Sequence, residues 1–253
     1  MSRRYDKVVT TFSPEGRLHQ VEYAVEAINN AGAAVGILAK DGVVLGGEKQ
    51  KMTKLLQAPK SSEKIYKIDD HIATIVAGLT SDANILIDEA RLAAQRYDYA
   101  YDNPIPVEQL VQRVCNHKQL YTQYGGQRPF GVKFLFAGYD SHLGFQIYVS
   151  DPSGTYSGWK ATSLGQNANA GQSLLKQEYS PDLNLEQSTF LALKVLDKTM
   201  ESVTSDNLDL FTLSLGENGQ LIHTVFPPSK VNELVTKLKE EQAASGSAPM
   251  SDD

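Results

Sequence analysis

Serine, lysine and glycine are the residues whose spacing first suggests chemistry. Ser61-Ser62-Glu63-Lys64 fits an SxxK pattern, in which a lysine amine takes the proton of a serine hydroxyl, and Ser205-Asp206-Asn207 fits the SDN element that accompanies it in acyl-enzyme hydrolases. No Lys-Thr-Gly follows residue 207, so the third element is missing, and matches this short arise by chance in a long chain. An independent serine hydrolase using Ser61 or Ser62 with Lys64 stands as the alternative enzyme reading. Gly165-Gln-Asn-Ala-Asn-Ala-Gly171 lacks the Gly-Lys-Ser/Thr of a phosphate-cradling loop and reads as a helix entry. The histidines 19, 71, 117, 142 and 223 have no ligand spacing, and neither a CxxC pair nor an HExxH segment is present, so no metal or cofactor is expected. Cys115, the single cysteine, sits among apolar residues of a predicted helix and reads as a small core residue.

Alternation and turn residues give the elements that must position any such site. Ser13-Pro14-Glu15-Gly16 has the preferences of a type I turn, and Leu18, Val21, Val25 and Ile28 then recur at helical spacing over about 17–30. Strands follow at Ala33–Ala39 and Val43–Gly47 around Asp41-Gly42, and at Lys64–Ile68 and Ile72–Ala77 around Asp69-Asp70. Thr80-Ser81-Asp82 can cap a helix to about Tyr97, and Pro104 and Pro106 introduce another over Val107–Tyr124. Val132–Tyr139, Phe145–Ser150 and Lys160–Leu164 are strands, Asn167–Glu178 and Asn184–Val203 helices, and Leu210–Leu215 with Leu221–Val225 a hairpin at Asn218-Gly219. A last amphipathic helix begins at Ser229.

Hairpins rather than single crossovers join these strands, which favours antiparallel sheets. Two sheets face to face with helices on both outer surfaces would bury every apolar stripe, so the expected fold is α+β, a four-layer αββα sandwich. One domain is expected over 13–241, between a polar N-terminal tail at 1–12 and a disordered acidic tail at 242–253. With 24 basic and 30 acidic residues the formal net charge is −6, which excludes the global basic footprint of a nucleic-acid binder. No signal-peptide stretch and no apolar run near ~20 residues is present, so neither secretion nor a membrane span is expected.

The start of the chain is more specific. Tyr5-Asp6 is followed by Thr11-Phe-Ser-Pro-Glu-Gly-Arg-Leu-His-Gln-Val-Glu-Tyr-Ala24, and this segment resembles the α-type subunits of the 20S proteasome. The resemblance continues through Ser62–Ile65, Gly78–Ala83, Tyr121–Gly126, Arg128–Gly131, Asp151–Gly154 and Trp159–Thr162, and covers about residues 5–240. It implies the N-terminal nucleophile hydrolase-like αββα sandwich with an extra N-terminal helix, in agreement with the element order above. It also implies that the chain is not itself an enzyme. In the family's register Gly32 stands where β-type relatives carry an amino-terminal threonine, Glu48 at the catalytic aspartate, Lys64 at the lysine, and Gln166 within a Gly-Ser-Gly, so that of that set the lysine alone is kept.

Several roles come with the resemblance. Tyr5, Asp6, Pro14 and Tyr23 match gate residues at the axial channel, although Lys7 replaces the arginine that follows Tyr-Asp in the family and cannot offer a bidentate fork. Lys64 with Gly16 is the expected docking point for the carboxy-terminal carboxylate of an activator or regulatory particle. The implied partners are other α-type subunits in a seven-membered ring and a β-type catalytic ring, with no nucleic acid and no membrane. The implied setting is ubiquitin-dependent and ubiquitin-independent protein degradation in cytoplasm and nucleus.

Overall fold

The computed structural model describes residues 7–49, 55 and 64–246. After helix α1 (His19–Asn29), β1 (Ala34–Ala39) and β2 (Gly42–Glu48) form a hairpin, and β3 (Ile65–Asp69) and β4 (Ile72–Gly78) form the next. Helices α2 (Thr80–Tyr101) and α3 (Val107–Gln123) lead to β5 (Val132–Asp140), β6 (Gly144–Ser150), β7 (Tyr156–Gly158) and β8 (Ala161–Leu164). Helices α4 (Ala168–Glu178) and α5 (Leu185–Thr199), the hairpin β9 (Leu208–Leu215) and β10 (Leu221–Val225), and α6 (Pro228–Gly246) complete the chain. The strands form two antiparallel five-stranded sheets, ordered β10-β9-β2-β1-β8 and β3-β4-β5-β6-β7.

The layers follow from the period-two geometry of strands buried on both faces, where successive side chains enter different cores. Along β2, Val43 and Leu45 point between the sheets while Val44 points out to the helices; along β4, Ala73, Ile75 and Ala77 point inward while Ile72 and Val76 point outward. α2 and α3 cover the outer face of the β4–β5 sheet, with Leu86, Leu110 and Val114 packed on Phe134 and Phe136. α5 and α6 cover the other sheet through Leu191, Val195, Val231 and Leu238. Each such aliphatic side chain contributes roughly 1.5–3 kcal/mol on burial, which ties every helix to its sheet. The sheets approach closely because β1 carries Gly36 opposite Leu135, where an added Cβ would lie 2.6 Å from Leu135 Cδ2.

One buried cation joins helix to sheet. Lys118 of α3 is fully buried and donates from Nζ to Val132 O at 3.0 Å and Ser150 Oγ at 2.9 Å, with Nζ 4.8 Å above the Phe134 ring. Burial pushes its amine down to about 7.

The differences from the expected elements are local. α2 runs past Tyr97 to Tyr101, where Asp102 adopts a left-handed C-cap (φ 52°). α5 stops at Thr199, short of Val203, because Met200 turns extended. Its start carries a capping box, with Asn184 and Gln187 bonding each other's backbone amides. β7 is an additional three-residue edge strand. α6 continues through Gly246, past the expected boundary at 242; residues 247–253, the rest of the expected tail, lie outside the described residues. No helix among the described residues is long and apolar enough to cross a membrane.

Candidate functional site

One end of the sandwich gathers the ends of several elements. The residues just before β1, at the end of β2, just before β3, at the β4–α2 junction and just after β8 line a cavity of about 640 Å3, with Ala27 and Asn30 of the α1 end at its edge. α1 is anchored there by Ile28, which is fully buried against the core between the sheets. The helix expected over 17–30 thus lies at the sandwich end.

Lys64, Glu48 and Gly32 meet in this cavity. Lys64 donates from Nζ to Gly32 O at 2.7 Å and to Ala33 O at 2.9 Å. Glu48 Oε2 accepts from the Ala33 amide at 3.2 Å. A Cβ built on Gly32 would lie 3.0 Å from Lys64 Nζ and 3.3 Å from Glu48 Oε2, so the amine and the carboxylate converge on the place where a side chain of residue 32 would begin. In the sequence Glu48 reads as a departure from the family's aspartate, and its carboxylate faces the same point as the Lys64 amine. Burial pushes the Lys64 amine down to about 8, with the carboxylates of Glu48 and Asp209 opposing that shift. Nearby, Lys49 pairs with Asp209 at 2.7 Å.

The backbone at residue 32 is held from both directions. Ala31 N donates to Ile28 O at 2.9 Å, Ala31 O accepts from Gln166 N at 2.8 Å, and β1 begins two residues after Gly32. Gly165, at φ +84°, makes this approach, since a Cβ on it would lie 2.6 Å from Gly32 O and 2.7 Å from Ala31 O. Gly32 is therefore an internal residue with peptide bonds on both sides. Between the amine and the carboxylate stands neither a hydroxyl or thiol nor a free α-amine to activate one. The arrangement can hold a charge but has no nucleophile at its focus.

The other sequence candidates distribute differently. Pro14 and Gly16 lie on an exposed turn, closed by Gly16 N donating to Ser13 O at 2.9 Å, with Gly16 at φ +76°. Tyr23 is half exposed on α1 and stacks on His19 with ring centroids 6.3 Å apart. None of these three lines the cavity that Lys64 lines. Tyr5, Asp6, Ser61 and Ser62 lie outside the described residues. The SDN match is a loop clasp: Asn207 Oδ1 accepts from Thr204 N at 2.8 Å and Thr204 Oγ1 at 3.0 Å, and Nδ2 donates to Ser202 O at 2.7 Å. Cys115 is buried, and burial raises its thiol to about 11, the inert side of the thiol range. Among the described residues no group of three or more His, Cys, Asp or Glu is placed to hold a metal ion.

Comparison with known proteins places this geometry. A proteasome subunit family model matches residues 28–213, and a model of the N-terminal signature of A-type proteasome subunits matches residues 5–27. The chain is similar to the proteasome alpha type-4 subunit of Spinacia oleracea, 59% identical over 247 residues that cover 97% of this chain and 99% of that one. It is similar also to the alpha type-4 subunit of Petunia hybrida, 59% identical over 239 residues (94% and 96%), and to alpha type-4-A of Arabidopsis thaliana, 58% identical over 247 residues (97% and 99%). The sandwich, the helix laid at its end and these matches agree, and the chain belongs to the proteasome subunit family, among its α-type members.

Proposed function

We propose that this chain is a non-catalytic subunit of the 20S proteasome α ring. It packs beside other α-type subunits in a seven-membered ring, stacks on the β-type catalytic ring, contributes its N-terminal segment to the gate over the axial channel and offers a docking cavity to activator tails. Its setting is protein degradation in cytoplasm and nucleus, with or without ubiquitin. The observation that carries the reading is Gly32, an internal residue with no side chain at the point faced by Lys64 and Glu48.

The same cavity suits docking. A terminal carboxylate entering it would meet the Lys64 amine as a point-charge partner, while Val76 and Leu79 offer apolar contact to the residue that carries it. Because Gly16 does not line that cavity, the docking role rests on Lys64, and Gly16 serves the entry turn. Pro14 and Tyr23, exposed on the turn and on α1, are available to brace the segment 1–12 in the gate, together with Tyr5 and Asp6.

The test is purification of the tagged chain from its own cells. Stoichiometric recovery with α-type and β-type subunits, and no peptidase activity in the isolated chain, is expected. A chain recovered alone with turnover that follows it through purification would overturn the reading. In the particle, Lys64→Ala should weaken stimulation by carboxy-terminal activator peptides while leaving assembly intact; undiminished stimulation would remove the docking role.

A further inference from the structure

A second cleft, of about 290 Å3, lies between α2 and α3. Glu89, Ala93 and Arg96 follow one another at i, i+4 and i+7 on α2, and Arg113, His117 and Leu120 do so on α3, so that each set forms one wall. The small Ala93 and the buried Val114 form the floor. Glu89 is already engaged, its carboxylate 2.9 Å from His117 Nδ1. Arg96 and Arg113 are exposed, and neither has a hydrogen-bond or ion-pair partner among the described residues.

Two unpartnered guanidinium groups in one cleft repel each other and favour an anion between them. The chain around them is acidic overall, at −6, so this local positive charge is set against the general balance. Arginine is enriched at protein interfaces and at their hot spots, and here two of them share the cleft with Leu120 (46% exposed). The volume is at the lower limit of the ~300–1,000 Å3 usual for small-molecule sites and fits a protein side chain better than a metabolite.

We propose that this cleft is the socket for an aspartate or glutamate side chain projecting from a neighbouring subunit of the particle, received by Arg96 and Arg113 as a charge-assisted, bidentate contact. The inference rests on the ring-subunit reading above and adds the chemistry of one contact to it. The carboxylate resident at the same cleft, Glu89, contacts His117 rather than either arginine.

The test sets wild type against an Arg96→Gln/Arg113→Gln chain, differently tagged and expressed together, with the ratio in assembled particles compared with the ratio in total soluble chain. The double variant should be depleted roughly tenfold from particles at low salt, the expected loss for a charge-assisted contact. The deficit should shrink as salt screens the contact. Melting of the isolated chains should be unchanged, and the Arg96→Lys/Arg113→Lys chain, which keeps charge without the fork, should fall between the two. A photo-crosslinker at Asn116, on the same cleft, should capture a peptide of another subunit containing Asp or Glu. Equal incorporation of the double variant would overturn the socket, as would stabilisation of wild type alone by inorganic phosphate with incorporation unaffected, which would assign the cleft to a small anion. Absence of wild type from particles would overturn the ring-subunit reading and the socket together, whereas wild type and variant present equally would sink the socket only.

Discussion

Replacing Lys64 with methionine keeps the apolar stem and deletes the amine that reaches Gly32 O and Ala33 O. In the folded chain burial holds that amine at about 8, against an ordinary 10.5. Between those values the unfolded chain binds the extra proton, so wild-type stability rises with pH across the window and is flat below it. One unit of pKa difference corresponds to ~1.4 kcal/mol, and integration from about pH 7 to 10 gives a rise of about 2–3 kcal/mol from this one group. Lys118 produces a rise of the same sign from about 7 upward, but in both proteins, and it cancels in their difference. Lys64→Met should therefore be less stable than wild type at pH 10, by about 1–3 kcal/mol for the orphaned carbonyls, and the gap should narrow by about 2–3 kcal/mol toward pH 7, where wild type also carries the cost of the buried charge. Urea unfolding of both chains at several pH values, read by fluorescence and far-UV circular dichroism, measures it. A gap independent of pH would mean that the amine titrates as in water, and the description of the cavity as a desolvated charge site would be wrong.

Gly165→Ala forces a side chain into the left-handed region and drives its Cβ to 2.6 Å from Gly32 O; a loss of about 1–3 kcal/mol from the backbone strain alone is expected. Gly16→Ala, at a similar φ but with nothing within 4 Å of its Cβ, should cost less, and melting of the two chains compares them. Asp82 accepts from Arg128 at 2.6 and 2.9 Å and from Gly131 N at 2.9 Å, contacts that hold its carboxyl below the ordinary range. Its contribution is present above ~3.9 and lost as pH falls through the lowered folded value, so Asp82→Asn should destabilise the chain by about 1–3 kcal/mol at pH 7 and flatten the acid limb of its stability profile. Deleting residues 2–9 in the particle should raise hydrolysis of short peptides without an activator, and unchanged rates would remove the gate role.

The layers were legible because strands buried on both faces read as short branched runs between turn signals, as Val43–Leu45 and Ile72–Ala77 do. β7 was not legible, since three residues following the Asp151–Gly154 turn contain no period. The ends of α2 and α5 were set by single backbone states at Asp102 and Met200; Pro104, two residues past the α2 cap, was read as the entry to the next helix, and no glycine or proline marks the end of α5. At the site, family spacing located Gly32 and Lys64, whereas the convergence of Glu48 and Lys64 on one point depends on how β2 and β3, in different sheets, meet at one end of the sandwich. The α2–α3 cleft had no sequence signal at all, because its walls form only when two exposed helix faces are brought side by side.

The most direct measurement is intact-mass and amino-terminal analysis of this chain, recovered from particles treated with an electrophile that captures amino-terminal nucleophiles. The account predicts a chain still continuous through Ala31-Gly32-Ala33 and free of adduct, with label on β-type partners. A mature chain beginning with threonine, serine or cysteine, or carrying the adduct, would contradict it.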